Sequence, residues 1–99
     1  MKEIFFVVFF VSKEKHIEIK QMFESNADSN PLKIEFIEET LDGRFEYQIP
    51  YICLPKMIVG ETIHILDFIH VSLVITSVEY FYEINSPHES YFMYECECN

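Results

Sequence analysis

After Lys56 the chain contains no lysine or arginine through to Asn99. The acidic side chains of that stretch are Glu61, Asp67, Glu79, Glu83, Glu89, Glu95 and Glu97. The whole chain sets 7 Lys and Arg against 17 Asp and Glu, a formal net charge of −10. Proteins that grip nucleic acid gather cations to neutralise phosphates and release counterions. The reversed balance here argues against direct DNA or RNA binding, and against anionic membrane surfaces for the same reason. It favours basic protein surfaces, cations, or plain solubility for an aromatic-rich chain.

Glycine is scarce as well. Two Gly and four Pro in 99 residues exclude low-complexity and collagen-like classes. They also leave no loop of the usual phosphate-cradling form. No Gly-x-Ser-x-Gly occurs, Glu38-Glu39 abut a turn and read as solvated, and Cys53 between Ile52 and Leu54 reads as core. An enzyme is therefore the least supported class, and no cofactor is expected. Cysteine is sparse and odd in number, at Cys53, Cys96 and Cys98, which argues against a secreted disulfide framework.

What is abundant is apolar and aromatic. Ten Phe and six Tyr contribute to a hydrophobic fraction of 49%, suited to one globular domain over 1–99. A chain of this size buries roughly 60–70% of its unfolded surface. The longest apolar run, Ile4–Val11, is followed by Ser12-Lys13-Glu14-Lys15 and not by a small-residue cleavage site. It is too short to span a bilayer. It reads as a strand covered on both faces, in a soluble cytoplasmic protein.

His16–Lys20 alternates polar and apolar residues, which tilts it towards a strand in a hairpin with the first run. The competing reading is a helix over 13–24 with Ser12 as N-cap, in which His16, Ile19 and Phe23 share a face. Ser25–Pro31 is a polar loop. Leu32–Glu38 reads as a strand, Asp42-Gly43 as a tight hairpin turn, and Phe45–Tyr51 as a half-buried strand in which Pro50 marks an edge or an end. Thr62–Leu66 and the long Leu73–Ile84 follow, separated by a turn at Asp67–His70. Asn85–Glu89 breaks the pattern and Tyr91–Cys98 returns as a hairpin partner. The expected fold is all-β or β-dominated: a small curled antiparallel sheet or SH3-like barrel of five to seven strands, with at most a short N-terminal helix over 13–24.

From Pro55 onward a proline-led connection meets Val59-Gly60-Glu61, then a short strand, a tight turn and the strand through Val74-Ile75-Thr76-Ser77-Val78. This cadence resembles SH3-like barrels over about half the chain. The resemblance implies a fold and carries no function.

Two constellations stand out. Cys96 and Cys98, with His88 or His64, supply zinc-type ligands, but Cys-x-Cys is narrower than the usual metal spacing and no second pair follows. The competing reading has Cys96 and Cys98 facing the core beside Phe92 and Tyr94, with Glu95 and Glu97 turned to solvent. The second constellation is aromatic: Tyr80-Phe81-Tyr82 against Tyr91, Phe92 and Tyr94. One face of that hairpin must enter the core. The other would offer an apolar patch with an acidic rim, whose candidate residues are Glu79, Tyr80, Tyr82, Glu83, Glu89, Tyr91 and Glu95.

The leading expectation is a non-enzymatic interaction module, an acidic β domain that docks on a basic protein. One variant is an inhibitor of the phage type that mimics nucleic-acid charge. The alternatives are a metal- or small-ligand-binding domain built on Cys-x-Cys and histidines, and a homo-oligomer paired through an edge strand or the aromatic face.

Overall fold

The computed structural model describes residues 4–26, 30–66 and 70–98. The middle of the expected Ser25–Pro31 loop, most of the Asp67–His70 turn and the Tyr51 side chain lie outside what it describes. The elements in chain order are β1 (Phe5–Val11), α1 (Lys13–Ser25), β2 (Glu35–Glu39), β3 (Phe45–Ile52), β4 (Thr62–Ile65) and β5 (Val71–Phe81). A 3₁₀ turn (Pro87–Glu89) and β6 (Tyr91–Cys98) complete it. The six strands form one sheet in the order β2-β3-β1-β6-β5-β4. The fold is β-dominated with one helix, as expected. The sheet stays open instead of closing into a barrel, and it is mixed: β1 pairs parallel with β6, while its other neighbour β3 runs antiparallel.

The segment after Ser12 is helical, and the strand reading of 16–20 gives way. Local capping supplies part of the reason. Ser12 holds extended backbone, and its hydroxyl accepts from the Lys15 N–H at 3.3 Å, satisfying one of the orphan donors of the first turn. The larger reason is packing. A helix brings His16, Ile19, Met22 and Phe23 to one side, and Ile19 is 1% exposed. A strand would have split His16 and Ile19 between opposite faces.

The core lies on the sheet face under α1, the inner face. Phe5, Val7, Phe9 and Val11 of β1 point there, aligned with Tyr47 and Ile49 of β3, Tyr94 and Cys96 of β6, and Leu73 and Ile75 of β5. Each such side chain contributes roughly 1.5–3 kcal/mol by leaving water. The alternate residues Phe6, Val8 and Phe10 are only half-buried. This corrects the expectation that the first strand is covered on both faces. Its outer side is shielded by side chains of the flanking strands, such as Tyr91 against Phe6 and Arg44 over Phe10, and among the described residues by no second layer.

Pro50 sits inside β3, which is internal to the sheet. β2 pairs only as far as Gln48, and the β1 register shifts between Phe5 and Val7, opposite this part of β3. A residue without an N–H is tolerated at such an irregularity. Gly43 takes φ +83 in the Asp42-Gly43 turn, where Thr40 and Arg44 exchange backbone and hydroxyl hydrogen bonds.

Candidate functional site

The outer sheet face carries an apolar ridge, Phe6, Val8 and Phe10, extended by Met93, Tyr91 and Phe81. Register fixes what lies beside it. Val8 has Gln48 on one side and Glu95 on the other; Phe10 has Glu46 and Glu97; Phe6 has Met93. Glu38 stands opposite Glu46, Glu79 opposite Met93, and Glu35 accepts a hydrogen bond from Gln48 at 3.0 Å. The ridge is thus flanked by carboxylates on β2, β3, β5 and β6. The packing contacts of α1 with the sheet, such as His16 on Phe45 and Phe23 on Tyr47, fall on the inner face.

Crowding of like charge has an electrostatic cost. The Glu46 carboxyl is pushed above the usual carboxylate range, first by burial, then by Glu38 and Glu95. The cation set among these acids is Arg44. Its guanidinium lies 4.6 Å from the Phe10 ring centre, bridges Asp42 at 2.9 Å, and donates to Glu97. Arg44 shows in one copy what the face accepts: a planar cation on an aromatic ring, clasped by carboxylates.

The predicted aromatic hairpin forms with Phe81 opposite Tyr91, Tyr80 opposite Phe92 and Val78 opposite Tyr94. Its rings divide between the two faces. Phe81 and Tyr91 stack at 5.3 Å on the outer face, together with Glu79 and Glu95. Tyr80 packs at 4.7 Å on Phe92 on the inner face, beyond the reach of α1, and is 55% exposed. Tyr82 and Glu83 follow the end of β5. Glu83 and Glu89 line a cleft of about 410 Å³ with Ile4, His88 and Tyr91 at that end of the sheet. The structure therefore unites Glu79, Tyr91 and Glu95, gathers Glu83 and Glu89 at the hairpin end, and sets Tyr80 on the opposite side.

The sequence reading missed Phe6, Val8, Phe10, Glu35, Glu38 and Glu46. The alternation Phe45-Glu46-Tyr47-Gln48 carried a signal for Glu46, since a half-buried strand turns its acids to one side. Nothing local placed that side next to Glu95.

Cys96 is fully buried beside Tyr94, and its thiol is pushed up to about 12 by burial, with Glu95 and Glu97 adding to it. Cys98 is half-buried, its thiol also raised by burial. His88 lies before β6, at the opposite end of that strand from both cysteines. Among the described residues no cluster of three or more metal-type ligands forms. His64 pairs with Ser72 at 3.0 Å on the β4–β5 surface. Cys53 is exposed, not core, because it follows the end of β3 where the chain leaves the sheet.

Among the described residues no helix is long and apolar enough to cross a membrane. Comparison with family models, with curated proteins and with solved structures gives no match, so the reading of function rests on the outer face itself.

Proposed function

We propose that the protein is a non-enzymatic interaction module that docks on a basic protein through its outer sheet face. One observation carries the reading. An apolar ridge with no covering layer among the described residues is bordered on both sides by Glu35, Glu38, Glu46, Glu79 and Glu95, while Arg44 is already engaged by Asp42 and Glu97. Exposed apolar area gives a partner contact energy. Uncompensated carboxylates give it direction and speed of encounter, and they disfavour acidic competitors. Mutual repulsion among Glu38, Glu46 and Glu95 is relieved when a cation settles between them, which adds to the preference for a basic partner. Occupation of a nucleic-acid-binding surface on that partner is the narrower form of the same proposal.

The test uses the protein as immobilised bait in lysate of the cells where it naturally acts, beside a Glu46→Lys, Glu95→Lys variant. The expected result is a basic protein that is retained by the wild type, lost from the variant, and released as salt rises from about 0.05 to 0.5 M. Retention that is indifferent to salt and to both substitutions would overturn the reading.

A further inference from the structure

β5 is eleven residues long, and β4, its partner on the side away from β6, is four. β4 pairs with Val71–Val74, and Gly60 and Glu61 then bond both backbone groups of Ile75, at 2.8 and 2.9 Å. The connection turns away there. From Thr76 to Phe81, β5 has β6 on one side and no strand on the other among the described residues.

The backbone groups left over can be named. In an antiparallel pair, residues alternate between exchanging both hydrogen bonds with the partner and turning both groups away. Phe92 donates its N–H to Ile4 on the β1 side, at 3.1 Å, so it does not bond β5. Its partner Tyr80 therefore turns its N–H and C=O outward, and so does Val78, opposite Tyr94 two residues along. The register irregularity between Ile75 and Ser77 precedes this stretch, and the pairing beyond it is regular through Phe81.

Free edges are usually blunted by charge, brevity or proline. The opposite edge of this sheet is: β2 is five residues long and carries Glu35, Glu38 and Glu39. The open edge of β5 has Val78, Tyr80 and Phe81 around a single Glu79, without lysine or proline. The nearby turn also sets Ile58 and Val59 exposed to solvent.

We propose that this edge receives an extended basic segment of the partner, which adds a seventh strand beside Val78–Phe81. The assignment rests on the basic-partner reading and names the form in which that partner presents its charge. Charge selects the occupant. A second copy paired antiparallel about this stretch would set Glu79 near Glu79 in a protein of net charge −10, whereas a lysine opposite Glu79 would meet it on the outer face, one position from Glu95. Backbone pairing supplies affinity, and alternate side chains are read by Glu79 on one face and Tyr80 on the other.

The experiment measures amide exchange on the full chain with the peptide acetyl-Lys-Val-Lys-Tyr-Lys-Val-Lys-amide. Saturating peptide should slow exchange at the Val78 and Tyr80 amides at least about tenfold. The same peptide N-methylated at alternate residues should lose that protection, and so should a version with Glu for Lys. Val78→Pro removes an outward N–H and no bond to β6, and it should weaken binding by about tenfold or more. The methylated peptide makes the same test without altering the protein. If the peptide shifts Phe6, Val8 and Met93 but leaves exchange at Val78 and Tyr80 unchanged, the edge assignment falls and the outer-face reading stands. Absence of any binding overturns the edge assignment, as does equal binding of the methylated or acidic peptide. Protection that grows with protein concentration alone makes the occupant a second copy and overturns the basic segment.

Discussion

Glu38 and Glu46 stand directly across from each other in the β2–β3 pair, two like charges at a position where opposite charges would attract. The arrangement costs the isolated fold some stability, and the cost depends on pH.

Replacing Glu46 with Gln should stabilise the protein by about 0.5 kcal/mol at pH 7. Because Glu46 holds its proton more tightly when folded than when unfolded, its penalty is absent below the ordinary glutamate pKa. The penalty develops as pH rises through the raised one. Urea denaturation at pH 7 and pH 4 checks the sign: the advantage of Glu46→Gln should shrink at the lower pH.

His16 behaves in the opposite way. Burial, and then Lys20, hold its imidazole below the usual histidine pKa, against a smaller opposing pull from Glu39. Its ring stacks on Phe45 at 4.1 Å, and its Nδ1 lies 2.7 Å from the Tyr47 hydroxyl. Burial pushes the Tyr47 phenol up to about 12, so it keeps its proton, and it is the donor to Nδ1 in the neutral tautomer that carries the ring proton on Nε2. A depressed folded-state pKa means stability that is present above the ordinary value of 6.5 and is lost as pH falls through the lower one. Tyr47→Phe should cost about 1 kcal/mol and let the His16 pKa move up, as read from its ring proton shifts in an NMR titration.

Tyr94 ties the connection after β3 to the inner face. Its hydroxyl accepts from the Met57 N–H at 2.8 Å and donates to the Met57 carbonyl at 3.1 Å. Tyr94→Phe should lower stability by roughly 1–2 kcal/mol and speed amide exchange at Met57. A melt unchanged from wild type, together with unchanged Met57 exchange, would show that the connection is held by its apolar contacts alone.

The three cysteines should separate kinetically. An aromatic disulfide reagent should modify the exposed Cys53 first and Cys98 more slowly. Cys96, fully buried with its thiol held protonated, should react only at the rate of unfolding. Mass spectrometry of timed samples resolves the order.

Periodicity made most of the strands legible. Tyr91–Cys98 is legible to the residue, and Phe45–Tyr51 and Thr62–Leu66 to within one, because alternation is a local signal and each strand has one face in the core. The helix was ambiguous for a physical reason: His16-Ile17-Glu18-Ile19-Lys20 satisfies both periods, and the choice was made by Phe45 and Tyr47, which lie far along the chain. The candidate site was only partly legible. Glu79, Tyr91 and Glu95 were readable from one hairpin. Glu46 and Phe10 joined them through the pairing of β1 with both β3 and β6, and no local pattern encodes that pairing.

That central pairing also sets a timetable. Among the described strands, β1 is made before both of its sheet neighbours, and β6 is made after β1, β2, β3, β4 and β5. During synthesis the run Phe5–Val11 waits as an unpaired, uncharged, aromatic segment of the kind that seeds aggregates. Sheet closure depends on contacts distant in sequence and is correspondingly slow. Yield in the cell should therefore respond to chaperone supply and to translation speed.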